Sequence, residues 1–269
     1  MTAGEFRRVV YRHYEAAPRV FPWRENPGPW GVMVSEFMLQ QTQTGRVAEY
    51  WPRWMRRWPR PAALAAAPLE DALREWSGLG YNRRAKYLRD AAAVITARYG
   101  GAVPQTPAEL DALPGVGPYT AGAIACFAYN YPAVFVETNI RSAVIHCFFN
   151  GSGAKVNDSE LIPVLERALD RKNPRKWYYA LMDYGAALKK LTVNPSRKSA
   201  VYAKQSRFEG SFRQKRGGVL KSLAFEGPAS LMALAKRTGF AVSELRAVIA
   251  SLEEEALIAG GAGIYRISR

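Results

Sequence analysis

Two places in this chain could carry chemistry, and the first is Glu36. It sits inside the apolar run Val-Met-Val-Ser-Glu-Phe-Met-Leu at 32–39. A carboxyl buried in such surroundings has its pKa raised and keeps its proton near neutrality. That suits it to general acid catalysis, although a buried Glu can equally be a structural hydrogen bonder. The second place is Leu113-Pro-Gly-Val-Gly-Pro-Tyr-Thr-Ala-Gly-Ala-Ile-Ala125. Gly115 and Gly117 bracket Val116 in a tight turn between helices, where glycine permits positive φ and close backbone approach. A helix starting near Tyr119 points its first amides and its positive dipole end outward. Such a hairpin can grip a DNA phosphate through backbone amides alone. Histidine and cysteine offer little beside these. His13, His146, Cys126 and Cys147 have no spacing that could hold zinc or an iron-sulfur cluster. His146 and Cys147 are chain neighbours on different helix faces and make a poor catalytic pair. The expected chemistry is metal-free.

These residues need elements to position them, and the elements read as helices. Apolar residues recur at three- and four-residue spacing through 32–41, 47–58, 69–76, 83–98, 107–113 and 121–129, with short Pro/Gly breaks between. Trp51, Trp54 and Trp58 share one helix face, the pattern of a core stripe. The chain has 269 residues and a formal net charge of +15, which points to a polyanionic partner, nucleic acid before membrane. No run approaches the length of a membrane span, and the first residues lack an apolar signal-peptide core. The chain is therefore expected to stay in the cytoplasm or nucleoid where it is made.

Residues 189–211 differ in character. Lys189, Lys190, Arg197, Lys198, Lys204 and Arg207 face the single acid Glu209 there, and Arg213, Lys215 and Arg216 follow. The stretch reads as a surface linker, either a solvated connector or a strap along phosphates. Beyond it, three helices at 212–225, 230–238 and 242–256 precede a Gly-rich turn (Gly260, Gly261, Gly263) and the alternating Ile264-Tyr265-Arg266-Ile267. Three helices and a small β-ribbon resemble a winged helix. The division expected is a helical core at 1–188, a basic linker at 189–211 and a winged-helix-like domain at 212–269.

Leu113 to Ala125 resembles the helix-hairpin-helix of the superfamily that includes endonuclease III and the adenine DNA glycosylases. Phe21-Pro-Trp-Arg24, Val34-Ser-Glu-Phe-Met-Leu-Gln-Gln-Thr-Gln43 and Gly78-Leu-Gly-Tyr81 are similar to the adenine glycosylase branch. So are Val136-Glu-Thr-Asn-Ile-Arg141 and Leu181-Met-Asp-Tyr-Gly-Ala186, in the same order. The resemblance covers roughly residues 5–190. It implies a mostly α, two-lobed glycosylase fold and a metal-free, cofactor-free hydrolysis of an N-glycosidic bond after base flipping. Such a reaction needs protonation of the departing base and stabilisation of an oxocarbenium-like sugar, the logic of two carboxyls in glycoside hydrolysis. By resemblance Glu36 is the acid, Asn139 orients the second carboxylate, and Gln40, Gln41 and Tyr81 wedge into the stack and face the opposite base. Leu113, Gly115, Val116, Gly117, Thr120, Arg197 and Lys198 are the expected DNA contacts.

The chain departs from that family in three respects, and a fourth position, Tyr119, separates it from the bifunctional relatives alone. The family's second carboxylate is an Asp, whereas this chain has Glu137, whose extra methylene moves the charge by roughly 1.5 Å. Misplacement on that scale can cost on the order of a hundredfold in rate. A pocket reshaped for Glu137 is the expectation, with another substrate or impaired hydrolysis as alternatives. Tyr119 stands where bifunctional relatives carry a Schiff-base Lys, and a Tyr forms no imine, so lyase activity by that route is not expected. Most relatives then bind a [4Fe–4S] cluster through four cysteines, but this chain places Lys189, Ser196, Ser199 and Gln205 there. No cluster is expected, and the basic loop must be held by protein contacts. Finally, the winged-helix-like tail replaces the Nudix-like domain with which adenine glycosylases read 8-oxoguanine.

The resulting expectation is a monomeric, monofunctional DNA glycosylase acting on lesion-bearing or mismatched double-stranded DNA. Adenine opposite 8-oxoguanine or guanine is the first substrate. A deaminated or modified base (uracil, thymine, 5-hydroxymethyluracil, hypoxanthine) is the alternative, and a non-catalytic lesion-binding protein the third reading. The tail could serve a protein partner.

Overall fold

A computed structural model describes residues 1–150, 154–203 and 207–269. Lys204 and Gln205, named above, lie outside the described residues. The first helices are α1 (Ala3–Ala16), α2 (Gly28–Leu39), α3 (Thr44–Arg57), α4 (Pro61–Ala65), α5 (Leu69–Trp76) and α6 (Arg83–Arg98). There follow α7 (Pro107–Asp111), α8 (Pro118–Tyr129), α9 (Thr138–Phe148), α10 (Asp158–Ala168) and α11 (Pro174–Leu191). The C-terminal part holds α12 (Phe212–Glu226), β1 (Ala229–Ser230), α13 (Leu231–Thr238), α14 (Val242–Glu254), β2 (Ile258–Gly261) and β3 (Ile264–Ile267). The fold is mostly α, as the periodicity predicts. Among the described residues no helix is long and apolar enough to cross a membrane.

Local chemistry sets most boundaries. α1 and α7 start with capping boxes, Thr2 with Glu5 and Thr106 with Glu109, each pairing orphan amides reciprocally. α8 and α11 carry Pro at the first position, where its missing N–H costs nothing. Several expectations shift: α3 starts at Thr44 rather than 47, and α7 ends at Asp111 rather than 113. α2 begins at Gly28 rather than 32, because Pro29 fits a first helical turn. Gly260 and Gly261, expected in a turn, instead belong to β2. The turn is Ala262-Gly263, with φ of 51° and 76°, the paired left-handed residues a tight hairpin requires.

The chain forms two compact units. The first comprises Met1–Val32, Gln105–Ala112 and Val116–Lys204. Its core packs Phe6, Ile140, Val144, Leu161, Leu165, Trp177 and Leu181, with Phe6 edge-on to Trp177 at 5.8 Å. α11 lies against α9 and α1. On α11, Asp183 is 2% exposed and receives Arg24 Nη1 and Nη2 at 3.0 and 2.9 Å and Arg19 Nε at 2.7 Å. Burial alone would raise this carboxyl, but the two guanidiniums outweigh it and hold Asp183 below the usual carboxylate range. The motif residues Arg24 and Asp183 thus fasten the N-terminal strap to α11.

The second unit comprises Met33–Pro104, Leu113–Gly115 and Gln205–Arg269. Trp54 meets Trp58 at 4.5 Å and Trp76 at 5.2 Å, both edge-on, so Trp54 and Trp58 of the aromatic stripe are core, while Trp51 is only half-buried. The C-terminal helices bury Val219, Leu223, Leu234, Leu245, Val248 and Leu252. The strands form one antiparallel sheet ordered β1-β3-β2, completing a winged-helix-like arrangement. α12 packs on α5, where the Arg74 guanidinium reaches the Ala224 carbonyl.

Candidate active site

Within the first unit the site gathers at the start of α9. Glu137 is the N-cap, and its side chain turns back onto its own helix. Oε1 accepts from the backbone amides of Asn139 at 2.7 Å and Ile140 at 3.0 Å, and Oε2 accepts from Asn139 Nδ2 at 3.3 Å. The dipole of α9 complements a negative charge there. The longer side chain is thus folded into the cap rather than extended, so the added methylene need not push the carboxylate outward. Asn139 is in turn held by Lys189 at the end of α11, whose Nζ donates to Oδ1 at 2.8 Å. Burial lowers the Lys189 ammonium from its ordinary value, Glu137 opposes that, and Arg141 and Arg19 reinforce it.

Tyr119 lies in the first turn of α8, half-buried, with its ring edge-on to Phe135 at 5.8 Å, and Phe135 stacks on Tyr178 at 4.0 Å. Aromatic packing therefore fixes both Tyr119 and the segment leading to Glu137. Val116 and Thr120 are buried. Gly117 is the extended N-cap of α8.

Within the second unit Glu36 is 6% exposed in α2, whose residues 30–38 are all buried. Gln40 is half-buried and Gln41 exposed just beyond the helix end. Gln41 and Tyr81 both have left-handed φ, 57° and 48°. Non-glycine residues in that region hold stored strain, which clusters at functional sites. Leu113 is buried, while Gly115 is exposed with φ of 73°. A Cβ at Gly115 would strike the Tyr87 ring, so glycine is required there on two counts.

Three side chains escaped the sequence reading. Buried Arg84 donates to the carbonyls of Phe37 (2.8 Å), Met38 (2.9 Å), Leu79 (3.2 Å) and Gly80 (3.0 Å), and to Thr42 Oγ1 (3.0 Å). It thereby ties the end of the Glu36 helix to the Gly78–Tyr81 loop. The available signal was a cation in the first turn of α6, where a helix dipole disfavours one. Arg213 donates to Tyr81 Oη at 2.6 Å, and nothing local announces that partner. Lys189 was visible in the basic run and at the first cluster position, but its partner was not.

That run is anchored more than a surface connector would be. Pro195, Ser196 and Ser199 are buried. Ser196 Oγ shares a 2.5 Å hydrogen bond with Ser142 Oγ, and Val156 pairs with the chain on both sides of Ser199 through Val156 N to Lys198 O and Ala200 N to Val156 O, each 2.9 Å. Lys198 Nζ reaches the Asn150 carbonyl at 2.6 Å, and Arg197 is exposed. These residues do not fit an iron-sulfur cluster. Lys189 and Ser196 are committed to Asn139 and Ser142, and neither position carries a thiolate. Cys126 is buried in the core, and burial pushes up the Cys147 thiol, whose Sγ is 3.8 Å from Tyr184 Oη. Among the described residues no group of His, Cys, Asp and Glu could hold a metal ion.

Comparison with known proteins shows what the chain is similar to. Residues 34–161 match the model of the HhH-GPD superfamily base excision DNA repair proteins. The chain is 44% identical over 179 residues to an adenine DNA glycosylase of Mycobacterium tuberculosis, covering 65% of this chain and 59% of that protein. It is 36% identical over 196 residues to the adenine DNA glycosylase of Rattus norvegicus, covering 68% of this chain and 38% of that one. The chain thus spans less than two thirds of the length of these relatives. Its fold is similar to that of a thermostable thymine-DNA glycosylase, with a TM-score of 0.62 and 27% identity over 68% of this chain and 87% of that one. It also resembles endonuclease III in a non-covalent DNA complex, with a TM-score of 0.58, 19% identity and coverage of 74% and 98%. Residues 34–161 are thus similar to the HhH-GPD superfamily of base excision DNA repair proteins, within a mostly helical fold.

Proposed function

We propose that this protein is a monofunctional DNA glycosylase that flips a mispaired or damaged base out of duplex DNA and hydrolyses its N-glycosidic bond. The observation that carries the reading is the Glu137 carboxylate, held at the start of α9 by two backbone amides and one side-chain amide. A charge fixed in advance stabilises a sugar cation without reorganisation when the bond breaks. Glu36 supplies the proton to the departing base, and Asn139 orients Glu137. Gln40, Gln41 and Tyr81 engage the stack and the opposite base. The backbone of 113–117, with Thr120, Arg197 and Lys198, holds phosphates. Adenine opposite 8-oxoguanine or guanine is the first substrate, a reading supported by the identity to adenine DNA glycosylases. Similarity to a thymine-DNA glycosylase together with Tyr119 favours thymine or another deaminated or modified base as the second reading. In this reading residues 1–188 are the core, 189–211 the basic linker and 212–269 the winged-helix-like domain, and the protein acts on duplex DNA as a monomer.

A panel of duplexes, each with one candidate lesion or mismatch, tests the proposal. Strand cleavage after alkali treatment and not before it is the expected result. Cleavage without alkali would refute the monofunctional reading. Tight binding with no base released from any duplex would make this a lesion-binding protein instead.

A further inference from the structure

Gly185 and Lys189 are one helical turn apart on α11 and share the face that meets α9. Both touch Asn139. Gly185 leaves room for the Asn139 backbone carbonyl, which a Cβ would strike, and Lys189 Nζ donates to its side-chain oxygen at 2.8 Å. An ammonium can only donate and a carboxylate can only accept. Asn139 therefore has its oxygen clamped toward Lys189 and its Nδ2 aimed at Glu137 Oε2, 3.3 Å away. Remove the ammonium and the amide is free to rotate about its terminal torsion, loosening one of the three bonds that hold the carboxylate. Resemblance places the first cluster cysteine at this position, and this chain has put there a side chain that reaches the carboxylate's own network.

We propose that Lys189 is a positioning residue, acting through Asn139 to fix the orientation of the Glu137 carboxylate. The inference rests on the reading of Glu137 as the group that stabilises the sugar cation. The charged groups facing Lys189 are Glu137 and Arg141 around α9 and Arg19 from the segment after α1. Because burial draws the ammonium below the ordinary lysine value of 10.5, its proton is lost at a lower pH than that of an exposed lysine. Base release should fall along that alkaline limb.

The test compares Lys189→Met and Lys189→Arg in the full chain. In the free protein, NMR should show the Asn139 side-chain amide and Glu137 carboxyl resonances displaced by Met and largely restored by Arg. With duplex DNA, Met should slow single-turnover base release by about tenfold or more while leaving affinity unchanged. Arg should recover most of the rate and move the alkaline limb to higher pH. Unmoved Asn139 and Glu137 resonances in Lys189→Met overturn the inference, as does a full rate in that variant. Should Lys189→Met fail to fold, the comparison of wild type with Lys189→Arg decides, and coincident alkaline limbs overturn it. If wild type releases no base from any duplex, the proposed function falls, while the resonances still decide whether Lys189 governs Asn139 and Glu137.

Discussion

The α-carbon of Gly185 lies so close to the backbone carbonyl of Asn139 that a β-carbon at 185 would occupy the oxygen's space. This approach sets how near α11 comes to the first turn of α9, and that turn carries the Glu137 cap. The helix contact and the site geometry are one feature.

Gly185→Ala should therefore damage the site as well as the core. Overpacking a closely packed contact costs about 1–3 kcal/mol, and here it displaces the turn that bears Glu137. The expected result is a lowered denaturation midpoint and a larger loss in base release than the stability change explains. A variant with wild-type rate would show that α9 yields without moving its cap.

Glu36→Gln should nearly abolish base release while leaving lesion binding intact. The substitution keeps the buried shape and removes the transferable proton, whose contribution is on the order of a hundred- to ten-thousandfold. Single-turnover assays and binding titrations on the same duplex separate the two quantities. Undiminished turnover would remove Glu36 from the chemistry.

Asp183→Asn should destabilise the first unit in a pH-dependent way. Asp183 is 2% exposed and bound by Arg24 and Arg19, and breaking a buried pair costs about 3–5 kcal/mol. Its pKa is depressed in the folded state below the ordinary 3.8. Its ionic stabilisation is thus fully present at neutral pH and is lost as pH falls from the unfolded value through the folded one. Denaturant unfolding at neutral and acid pH should show the variant weaker at neutrality, with the gap closing in acid. An equal deficit at both pH values would contradict the assignment.

Much of the local structure was legible in the chain itself. The bounds of α5 and α6 follow from periodicity and flanking residues at the same positions the structure shows. The Trp stripe, the Gly115 turn and the β3 alternation follow from spacing and the conformational freedom of glycine. Motif positions marked Glu36, Glu137 and Asn139. The partners of Arg84, Lys189 and Ser196 carried no comparable signal, because they lie far along the chain.

The sequence alone decided which segments are helical and which carboxyls are available, since caps, prolines and apolar periods act within a few residues. Only the tertiary structure decided what those carboxyls are held by. Lys189 and Asn139 are 50 residues apart, and Ser196 and Ser142 are 54 apart. The packing of α11 against α9 brings the first pair within hydrogen-bond reach. Side-chain volumes and helix crossings set that distance, and neither is written in local spacing.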